Sequence, residues 1–505
     1  MRSSVGGFSD GADVADGPTG RPLGGPSDVA LDGARVLVAG LGMSGRACVQ
    51  VLEGLGAEVR TFDDRAASAD EHDAAAFLAR DGLSQVDLVV TSPGLQPGHP
   101  LLAAAVDRGV PVWSEVELAW RVRVDRADGG GPAPWLVVTG TNGKTTTVGM
   151  LESILRAGGE RAVAAGNVGN PLVLAATDPA NDVLAVELSS FQLHFTSTMS
   201  AQAAAVLNVA ADHLDWHGSM EAYAADKGRA FERAQRACVY AVADPVTRRL
   251  VEDADVVDGA VAVGFTLGVP AVGQVGVVED VLVDRGFARL RHTHAQELAT
   301  LDDLAQLAGP DGQVPPHVVA NALAASALAL AHGVAPADVR DGLRAFAPGA
   351  HRIVTVAQRG AVSWVDDSKA TNAHAAAASL AAFPAGSVVW IAGGLAKGAT
   401  FDELVERRRD RLRAVVLIGV DRAPLRDALA RHAPQVPVVE VVAGDTEPVM
   451  TRAVHLAERF AAQAPAGEPV NVLLAPACAS MDQFSSYAER GDAFAAAVRG
   501  LSEQP

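Results

Sequence analysis

Short apolar runs, each followed by a polar or glycine-rich turn and then by a helical stretch, recur along this chain and restrict the folds open to it. The clearest runs begin at Ala34, Trp135, Val388, Val415 and Val472. Strands buried on both faces of a parallel sheet have continuously apolar sequences, so this alternation predicts βαβ units. A length of 505 residues accommodates about three such domains. The sequence therefore predicts an α/β protein of three domains.

Segments rich in glycine and proline predict the domain boundaries. Residues 1–33 are rich in Gly, Ser, Asp and Pro and show no sustained periodicity, so we expect a disordered tail. Residues 125–134 have the composition of a linker, and a softer boundary lies near 346–351. The predicted domains span 34–128, 134–347 and 348–505.

Lysine is almost absent from the basic residues of this chain. Of 41 basic residues only four are lysine, at positions 144, 227, 369 and 397. Since arginine supplies nearly every other positive charge, these four positions are candidates for chemistry that needs a compact, deprotonatable amine. The net charge of −19 argues against a broad surface for nucleic acid or anionic membrane.

The cysteines and the hydropathy pattern further restrict the class of protein to which this chain can belong. Cys48, Cys238 and Cys478 are few, odd in number and unclustered, which indicates neither a disulfide framework nor a zinc site. The sequence has no apolar run of about 18 residues and no signal-peptide pattern. We therefore expect a cytoplasmic protein without membrane insertion.

The first glycine-rich motif occupies residues 40–45 and lies between an apolar run and a helical stretch. A following strand, 58–62, ends at Asp63, Asp64 and Arg65. Glycines allow a tight turn, the helix N-terminus offers N–H groups to a diphosphate, and an acid at the next strand end suits a ribose hydroxyl. The pattern predicts a Rossmann-like domain that binds a nucleotide or dinucleotide. A purely structural βα turn is the alternative.

A second glycine-rich motif, Gly140-Thr141-Asn142-Gly143-Lys144-Thr145-Thr146, also lies between a strand and a helix. The strict P-loop spacing requires a glycine where this chain has Val138. The core still has what a triphosphate requires: backbone N–H groups, a lysine for the β/γ-phosphates and a hydroxyl for Mg²⁺. We therefore predict a central P-loop-type ATPase domain with a mostly parallel sheet.

Acidic and histidine residues downstream of this loop suggest a divalent metal site. Glu187 ends a strand, His213 lies within the segment 208–215, and Lys227 follows. Mg²⁺ usually takes one or two carboxylates together with substrate phosphates. Each residue alone is more often a surface acid or a core histidine, so the prediction depends on their occurrence together.

Three polar turns follow strands in the last third of the chain, at 366–372, 393–398 and 475–484. Open α/β sheets bind ligands at the carboxyl ends of their strands. Two of the four lysines, Lys369 and Lys397, lie in these turns. The pattern predicts a second ligand site on a Rossmann-like C-terminal α/β domain.

Taken together, the segments 140–145, 187, 208–215 and 475–484 resemble the Mur ligase family, the ATP-dependent amino-acid ligases of peptidoglycan precursor synthesis. The resemblance spans about residues 35–495. The segments 366–372 and 476–484 are similar to those of members that add D-glutamate to UDP-N-acetylmuramoyl-L-alanine. The resemblance implies a monomeric cytoplasmic enzyme of cell-wall biogenesis that acts on these two substrates and ATP through an acyl phosphate.

The resemblance also implies a role for each matching position. The UDP-substrate residues would be Gly42, Met43, Ser44, Asp63, Asp64, Arg65, Ser92, Gly94, Asn167 and Gln192. The ATP residues would be 140–146 with Asn321, Arg352 and Asp367. The D-glutamate residues would be Thr371, Lys397, Ser480, Met481 and Tyr487.

The same resemblance implies two Mg²⁺ ions, held by Thr145, Glu187, His213 and Lys227 as an N-carboxylated lysine. The catalytic residues would be Lys144, Lys227, His213 and Lys369. The chain departs from the family at Val318, where the family usually has an asparagine that contacts adenine, and at Ile353, where the family commonly has a glutamate.

Three other functions remain open at this stage. Another Mur-type or folylpolyglutamate-type ligase would share the central motif, but segment 475–484 argues against it. An NAD(P)-dependent oxidoreductase would explain residues 40–45 but would leave Lys144, Glu187 and His213 without a function. A non-catalytic nucleotide-binding scaffold would not explain the placement of the four lysines.

Overall fold

A computed structural model describes residues 29–308, 312–347, 353–396, 399–441, 448–465 and 467–501. Most of the predicted tail, residues 1–28, lies outside the described residues, as do the predicted site residues Arg352 and Lys397. Within the described ranges the strands form three separate sheets. These strands fall in the ranges 35–114, 135–300 and 354–474, so each sheet lies within one predicted domain range.

The first sheet has four parallel strands in the order β2-β1-β3-β4. Helices alternate with these strands, as the apolar runs predict. The strands are β1 (Arg35–Ala39), β2 (Glu58–Phe62), β3 (Leu88–Thr91) and β4 (Val112–Ser114). The helices are α1 (Met43–Gly54), α2 (Ala74–Ala79), α3 (Pro100–Asp107) and α4 (Glu115–Arg121).

The central sheet has nine strands in the order β13-β12-β11-β10-β9-β8-β5-β7-β6. They are β5 (Trp135–Thr139), β6 (Ala162–Gly166), β7 (Val183–Glu187), β8 (Ala203–Val206), β9 (Ala237–Ala241), β10 (Val261–Phe265), β11 (Gln274–Val278), β12 (Val281–Asp284) and β13 (Gln296–Thr300). Pairing is parallel from β6 to β11 and antiparallel through β12 and β13.

Eight α-helices of the described residues accompany the central sheet. They are α5 (Lys144–Ala157), α6 (Leu172–Ala176), α7 (Ser190–His194), α8 (Leu214–His217), α9 (Met220–Gly228), α10 (Pro245–Glu252), α11 (Pro316–His332) and α12 (Pro336–Ala345). Helix α5 packs against α11 and α12 in the apolar cluster that covers one face of the sheet.

The third sheet has the order β14-β15-β19-β16-β17-β18 and is parallel except for the β14–β15 pair. Its strands are β14 (Val354–Arg359), β15 (Val362–Asp366), β16 (Val388–Gly393), β17 (Leu412–Ile418), β18 (Val438–Glu440) and β19 (Val470–Leu474). Its helices are α13 (Ala373–Ala381), α14 (Asp402–Arg408), α15 (Ala423–His432), α16 (Val449–Ala461) and α17 (Tyr487–Gly500).

The first and central domains share a polar contact centred on Glu117. Its fully buried carboxylate accepts hydrogen bonds from the backbone N–H groups of Ser197 and Thr198 at 2.8 and 2.9 Å, and from Arg121 at 2.7 Å. Burial alone would raise the pKa of Glu117, but these donors outweigh it and lower that pKa. The two domains also share one apolar cluster, which includes Val116 and Leu184.

The three mostly parallel sheets with flanking helices confirm the predicted α/β class. The antiparallel pairing of β12 with β11 and with β13 was not predicted from the sequence. Among the described residues, no helix combines the length and the apolar character needed to span a bilayer.

Candidate active site

The phosphate loop, defined here as residues 140–145, connects β5 to the start of α5. Gly140 and Gly143 have φ angles of 149° and 87°, a region that favours glycine. A side chain at position 143 would also place its Cβ atom 2.4 Å from Asn321 Oδ1. Gly143 precedes α5 without capping it by a side chain, so the N–H groups of the first turn can bind an anion.

Asn208, just after β8, holds the loop in this shape. Its backbone carbonyl accepts from the N–H of Thr141 at 2.9 Å, and its side-chain carbonyl accepts from the N–H of Asn142 at 2.9 Å. The Asn208 amide donates back to the carbonyl of Asn142 at 3.1 Å. The hydroxyl groups of Thr141 and Tyr223 lie 3.0 Å apart. These contacts fix the loop without using the first-turn N–H groups.

Two of the four lysines donate to the same carbonyl of this loop. Lys144 Nζ donates to the carbonyl oxygens of Gly140 at 2.8 Å and Thr141 at 3.0 Å. Lys227 Nζ, from α9, donates to the carbonyl oxygen of Gly140 at 3.0 Å. Lys227 is 2% exposed. Burial, followed by the nearby charge of Lys144, lowers the pKa of Lys227 well below its ordinary value, which favours a neutral amine.

Glu187 presents a buried carboxylate at the end of β7, where it pairs in register with Val138 of β5. Its Oε1 atom accepts from the Asn167 amide at 2.9 Å, and its buried Oε2 atom has no hydrogen-bond partner among the described residues. An unpartnered buried carboxylate oxygen is costly unless a cation or donor occupies the space beside it. The donor set therefore fits a hard divalent cation near the phosphate loop.

The described residues contain no cluster of three or more His, Cys, Asp or Glu side chains arranged to hold a metal. Of the predicted ligands, Lys227 and Thr145 both lie at the phosphate loop or contact it.

His213 stands just before α8 with φ of 54°, a backbone conformation rare for residues other than glycine. Its ring meets the Phe191 ring edge to face at a centroid distance of 4.8 Å. Its Nε2 atom is 3.6 Å from Asp212 Oδ2. Backbone strain of this kind occurs preferentially at functional positions.

The glycine turn of the first domain is sterically tight. Gly40 has φ of 95°, and a Cβ atom there would lie 2.0 Å from Ser92 Oγ. A Cβ atom on Gly45 would lie 1.8 Å from the carbonyl oxygen of Gly40. Gly42 precedes α1, Met43 and Ser44 begin it, and Met43 and Gly94 are exposed. The turn thus brings β1, the start of α1 and the loop after β3 into contact.

Asp63, predicted to bind a ribose, is bonded to backbone groups in this structure. Its Oδ2 atom accepts from the N–H of Leu41 at 2.7 Å, and its Oδ1 atom accepts from those of Arg65 and Ala66 at 2.9 Å. Burial raises the pKa of Asp63, but these donors together lower it. Asp63 therefore ties β2 to the glycine turn, while the side chains of Asp64 and Arg65 are exposed.

Gln192 on α7 uses its side-chain carbonyl oxygen within its own turn. Its Oε1 atom accepts from the backbone N–H and the hydroxyl of Ser189, each at 2.9 Å, in a capping box. Oε1 is thus used within the turn, and the amide nitrogen can donate to acceptor oxygens of a ligand.

Lys369 connects the third domain to the phosphate loop. Its Nζ atom donates to the Thr145 hydroxyl at 2.7 Å and lies 5.1 Å from the centre of the Tyr487 ring. The neighbouring Asp367 is buried and accepts a hydrogen bond from the Ser379 hydroxyl. Thr371 follows in the same turn, its N–H donating to the Lys369 carbonyl at 2.8 Å.

The turn that carries Ser480 packs on a glycine turn after β16. A Cβ atom on Gly394 would lie 2.3 Å from the carbonyl oxygen of Ala479. Ser480 is buried and the next residue, Met481, is exposed. This places Ser480 beside the segment that leads to Lys397, which lies outside the described residues.

The structure brings three of the predicted catalytic residues, Lys144, Lys227 and Lys369, to the phosphate loop. Two residues that support the site were not among the predicted site residues. Tyr223 bonds the loop, and Arg490 is buried against the Ser368 carbonyl at 2.8 Å. Burial lowers the pKa of Arg490 to about 10. Neither has a local sequence signal, since each contacts residues more than 80 positions away.

Family models match two parts of the chain. One for the Mur ligase middle domain matches residues 138–329, and one for the Mur ligase MurD-like N-terminal domain matches residues 34–114. Together with the relatives described next, these matches show that the chain belongs to the Mur ligase family of ATP-dependent ligases.

Within this family the chain is similar to UDP-N-acetylmuramoylalanine–D-glutamate ligases. The enzyme of Streptomyces avermitilis is 57% identical over 93% of this chain and 98% of its own length. That of Thermobifida fusca is 52% identical over 94% and 99%. The crystal structure of UDP-N-acetylmuramate-alanine ligase from Thermotoga maritima shares the fold, with a TM-score of 0.53, 17% identity and coverage of 93% and 100%.

Proposed function

We propose that this protein adds D-glutamate to UDP-N-acetylmuramoyl-L-alanine, consuming ATP and releasing ADP and phosphate through an acyl phosphate. The observation that carries the proposal is the arrangement around Gly140. Two amines, of Lys144 and Lys227, donate to its carbonyl, and the unpartnered carboxylate oxygen of Glu187 lies on the adjoining strand. The names of relatives above 50% identity support the choice of amino acid.

The phosphate loop would bind the triphosphate through the first-turn N–H groups of α5, with Lys144 turning from its loop carbonyls to the phosphate oxygens. Thr145 and Glu187 would hold one Mg²⁺, and His213 a second. When bound, Mg²⁺ neutralises the charge that moves between phosphate oxygens during transfer. Asn321 and Asp367 would contact the nucleotide.

Lys227 would act as an N-carboxylated lysine. Its neutral amine can add to the carbon of CO₂ and release one proton, which leaves a carbamate with a negative charge. That charge would compensate the nearby Lys144 and complete the second metal site. An arginine could not take this role, because a guanidinium is not a neutral nucleophile at any physiological pH.

The amino-acid half of the reaction would take place on the third domain. The amine of D-glutamate attacks the carbonyl carbon of the acyl phosphate, a C–N bond forms, the bond to phosphate breaks, and a proton leaves the nitrogen. Ser480, Lys397 and Thr371 would hold the carboxylates of glutamate. The third domain contacts the phosphate loop through Lys369, and closure there would exclude water from an acyl phosphate that otherwise hydrolyses.

The uridine end of the substrate would bind the glycine turn of the first domain, and Asn167 and Gln192 would face the muramoyl-alanine end. We further propose that the enzyme is a monomer. The site then lies between three domains of one chain, each of which contributes one reactant.

The test is phosphate release by the purified protein with UDP-N-acetylmuramoyl-L-alanine, ATP and a panel of amino acids. We expect release with D-glutamate and not with L-glutamate, L-alanine, a diamino acid or a dipeptide, with an amide product identified by mass spectrometry. A response to a different amino acid would replace the proposed specificity. Binding of NADH with no amino-acid-dependent ADP release would reject the ligase.

A further inference from the structure

The third domain contacts the central domain through a second side chain besides Lys369. Asn372, which precedes α13, directs its amide nitrogen at two acceptors on the central domain. It lies 3.2 Å from Asp212 Oδ2 and 3.3 Å from Asn142 Oδ1. Asn142 belongs to the phosphate loop, and Asp212 precedes His213. One amide thus joins the turn of Lys369 to the phosphate loop and to the residue before His213.

We propose that Asn372 is a positioning residue that stabilises the closed arrangement of the third domain on the central domain. This inference deepens the proposed function and rests on it for its catalytic consequence. Lys369 cannot fulfil this role alone, because its partner Thr145 is also the hydroxyl proposed to bind Mg²⁺. The acceptors of Asn372 are instead the side-chain amide of Asn142 and the carboxylate of Asp212, neither of which is a proposed metal ligand.

The two ends of the Asn372 side chain have separate functions, so they can be tested separately. The Oδ1 atom accepts from the N–H of Ala375 at 2.8 Å and caps α13. The amide nitrogen makes both contacts with the central domain. Aspartate caps helices as well as asparagine does. Asn372→Asp therefore keeps the cap, removes the donor and places a second carboxylate against Asp212.

The donor and the acceptor of the contact between Asn372 and Asp212 can also be exchanged. In a double variant, Asp212→Asn with Asn372→Asp, the donor stands on the central domain and the acceptor on the third. Asp212→Asn alone leaves Asn372 a carbonyl to donate to and introduces no repulsion. Asn372→Ser caps α13 but is too short to reach Asp212, so it removes the contact without adding charge.

The first measurement is small-angle X-ray scattering of the ligand-free variants, which needs no assumption about substrate. We expect a larger radius of gyration for Asn372→Asp and Asn372→Ser, the wild-type value for Asp212→Asn, and recovery of the wild-type value in the double variant. An unchanged radius in Asn372→Asp, or a double variant that stays expanded, would overturn the proposal.

The second measurement is steady-state kinetics with calorimetric titration of ATP. In Asn372→Ser we expect kcat/KM for D-glutamate to fall about tenfold or more, the equivalent of losing one hydrogen bond to a charged group, while ATP binds within about twofold of wild type. A parallel loss of ATP affinity would contradict a role in closure. If scattering responds as expected but no amino acid is ligated, the proposed function fails and the contact stands.

Discussion

Substitution of Gly45 by alanine should selectively weaken binding of the uridine nucleotide. Gly45 is in the first turn of α1, and an added Cβ atom would lie 1.8 Å from the carbonyl oxygen and 2.9 Å from the carbonyl carbon of Gly40. Both contacts are with backbone, so the turn must open by roughly 1 Å or more to restore van der Waals distance. Overpacking of this kind costs about 1–3 kcal/mol. If binding requires the closed turn, affinity should fall roughly 5- to 150-fold.

The assay is calorimetric titration of Gly45→Ala with UDP-N-acetylmuramoyl-L-alanine and, separately, with a non-hydrolysable ATP analogue. The matched control is Gly54→Ala at the other end of α1, where an added Cβ atom meets nothing within 4 Å. The control should bind both ligands normally and unfold at the same temperature or slightly higher, since alanine favours helix over glycine. Uridine-nucleotide binding by Gly45→Ala at wild-type affinity would show that the turn is not the binding element.

Three further predictions concern the central domain and its contacts. Lys227→Arg should abolish ligation. Lys227→Ala should also lose ligation but regain part of it when short carboxylates are added. Near-wild-type rates in the arginine variant would contradict the carbamate. Glu187→Gln should raise the Mg²⁺ concentration required for half-maximal phosphate release, because the amide lacks the charge of the buried Oε2; an unchanged Mg²⁺ dependence would remove Glu187 from the ligand set. The pKa of Glu117 is lowered on folding, so its contribution to stability is complete above its ordinary value of about 4.3 and is lost as the pH falls through the lower folded value. The unfolding temperature of Glu117→Gln should therefore change less between about pH 6 and about pH 3 than that of wild type. An identical dependence of the unfolding temperature on pH would refute the assignment.

The sequence predicts parallel strands most clearly where every residue of the strand is buried. β5 and β16 have every residue buried, so their sequences are apolar throughout and differ clearly from the helices around them. β11 and β12 are only partly buried. The short connection between them does not predict that they join the central sheet. The antiparallel pairing of β11 with β12 depends on packing at the edge of the sheet, which the local sequence pattern does not predict.

The candidate site also has one part that the sequence predicts and one part that it does not. The residues of the phosphate loop are contiguous, so their spacing predicts a phosphate site. Asn208 and Tyr223, which fix that loop, lie 66 and 82 positions from the residues they contact. The location of Asp63 at the end of β2 was predictable. Its three backbone donors were not, because they depend on how two turns meet in space.

The placement of the lysines has a practical consequence for chemical probing. Of the four, the three that the structure describes are buried or half-buried at the phosphate loop, so the described surface offers amine-directed reagents little else to modify. In most proteins acylation of amines reports on general surface accessibility. In this chain, the modification of Lys144 and Lys369, and its protection by added nucleotide, would report on occupancy of the cleft, residue by residue, in a mass spectrum.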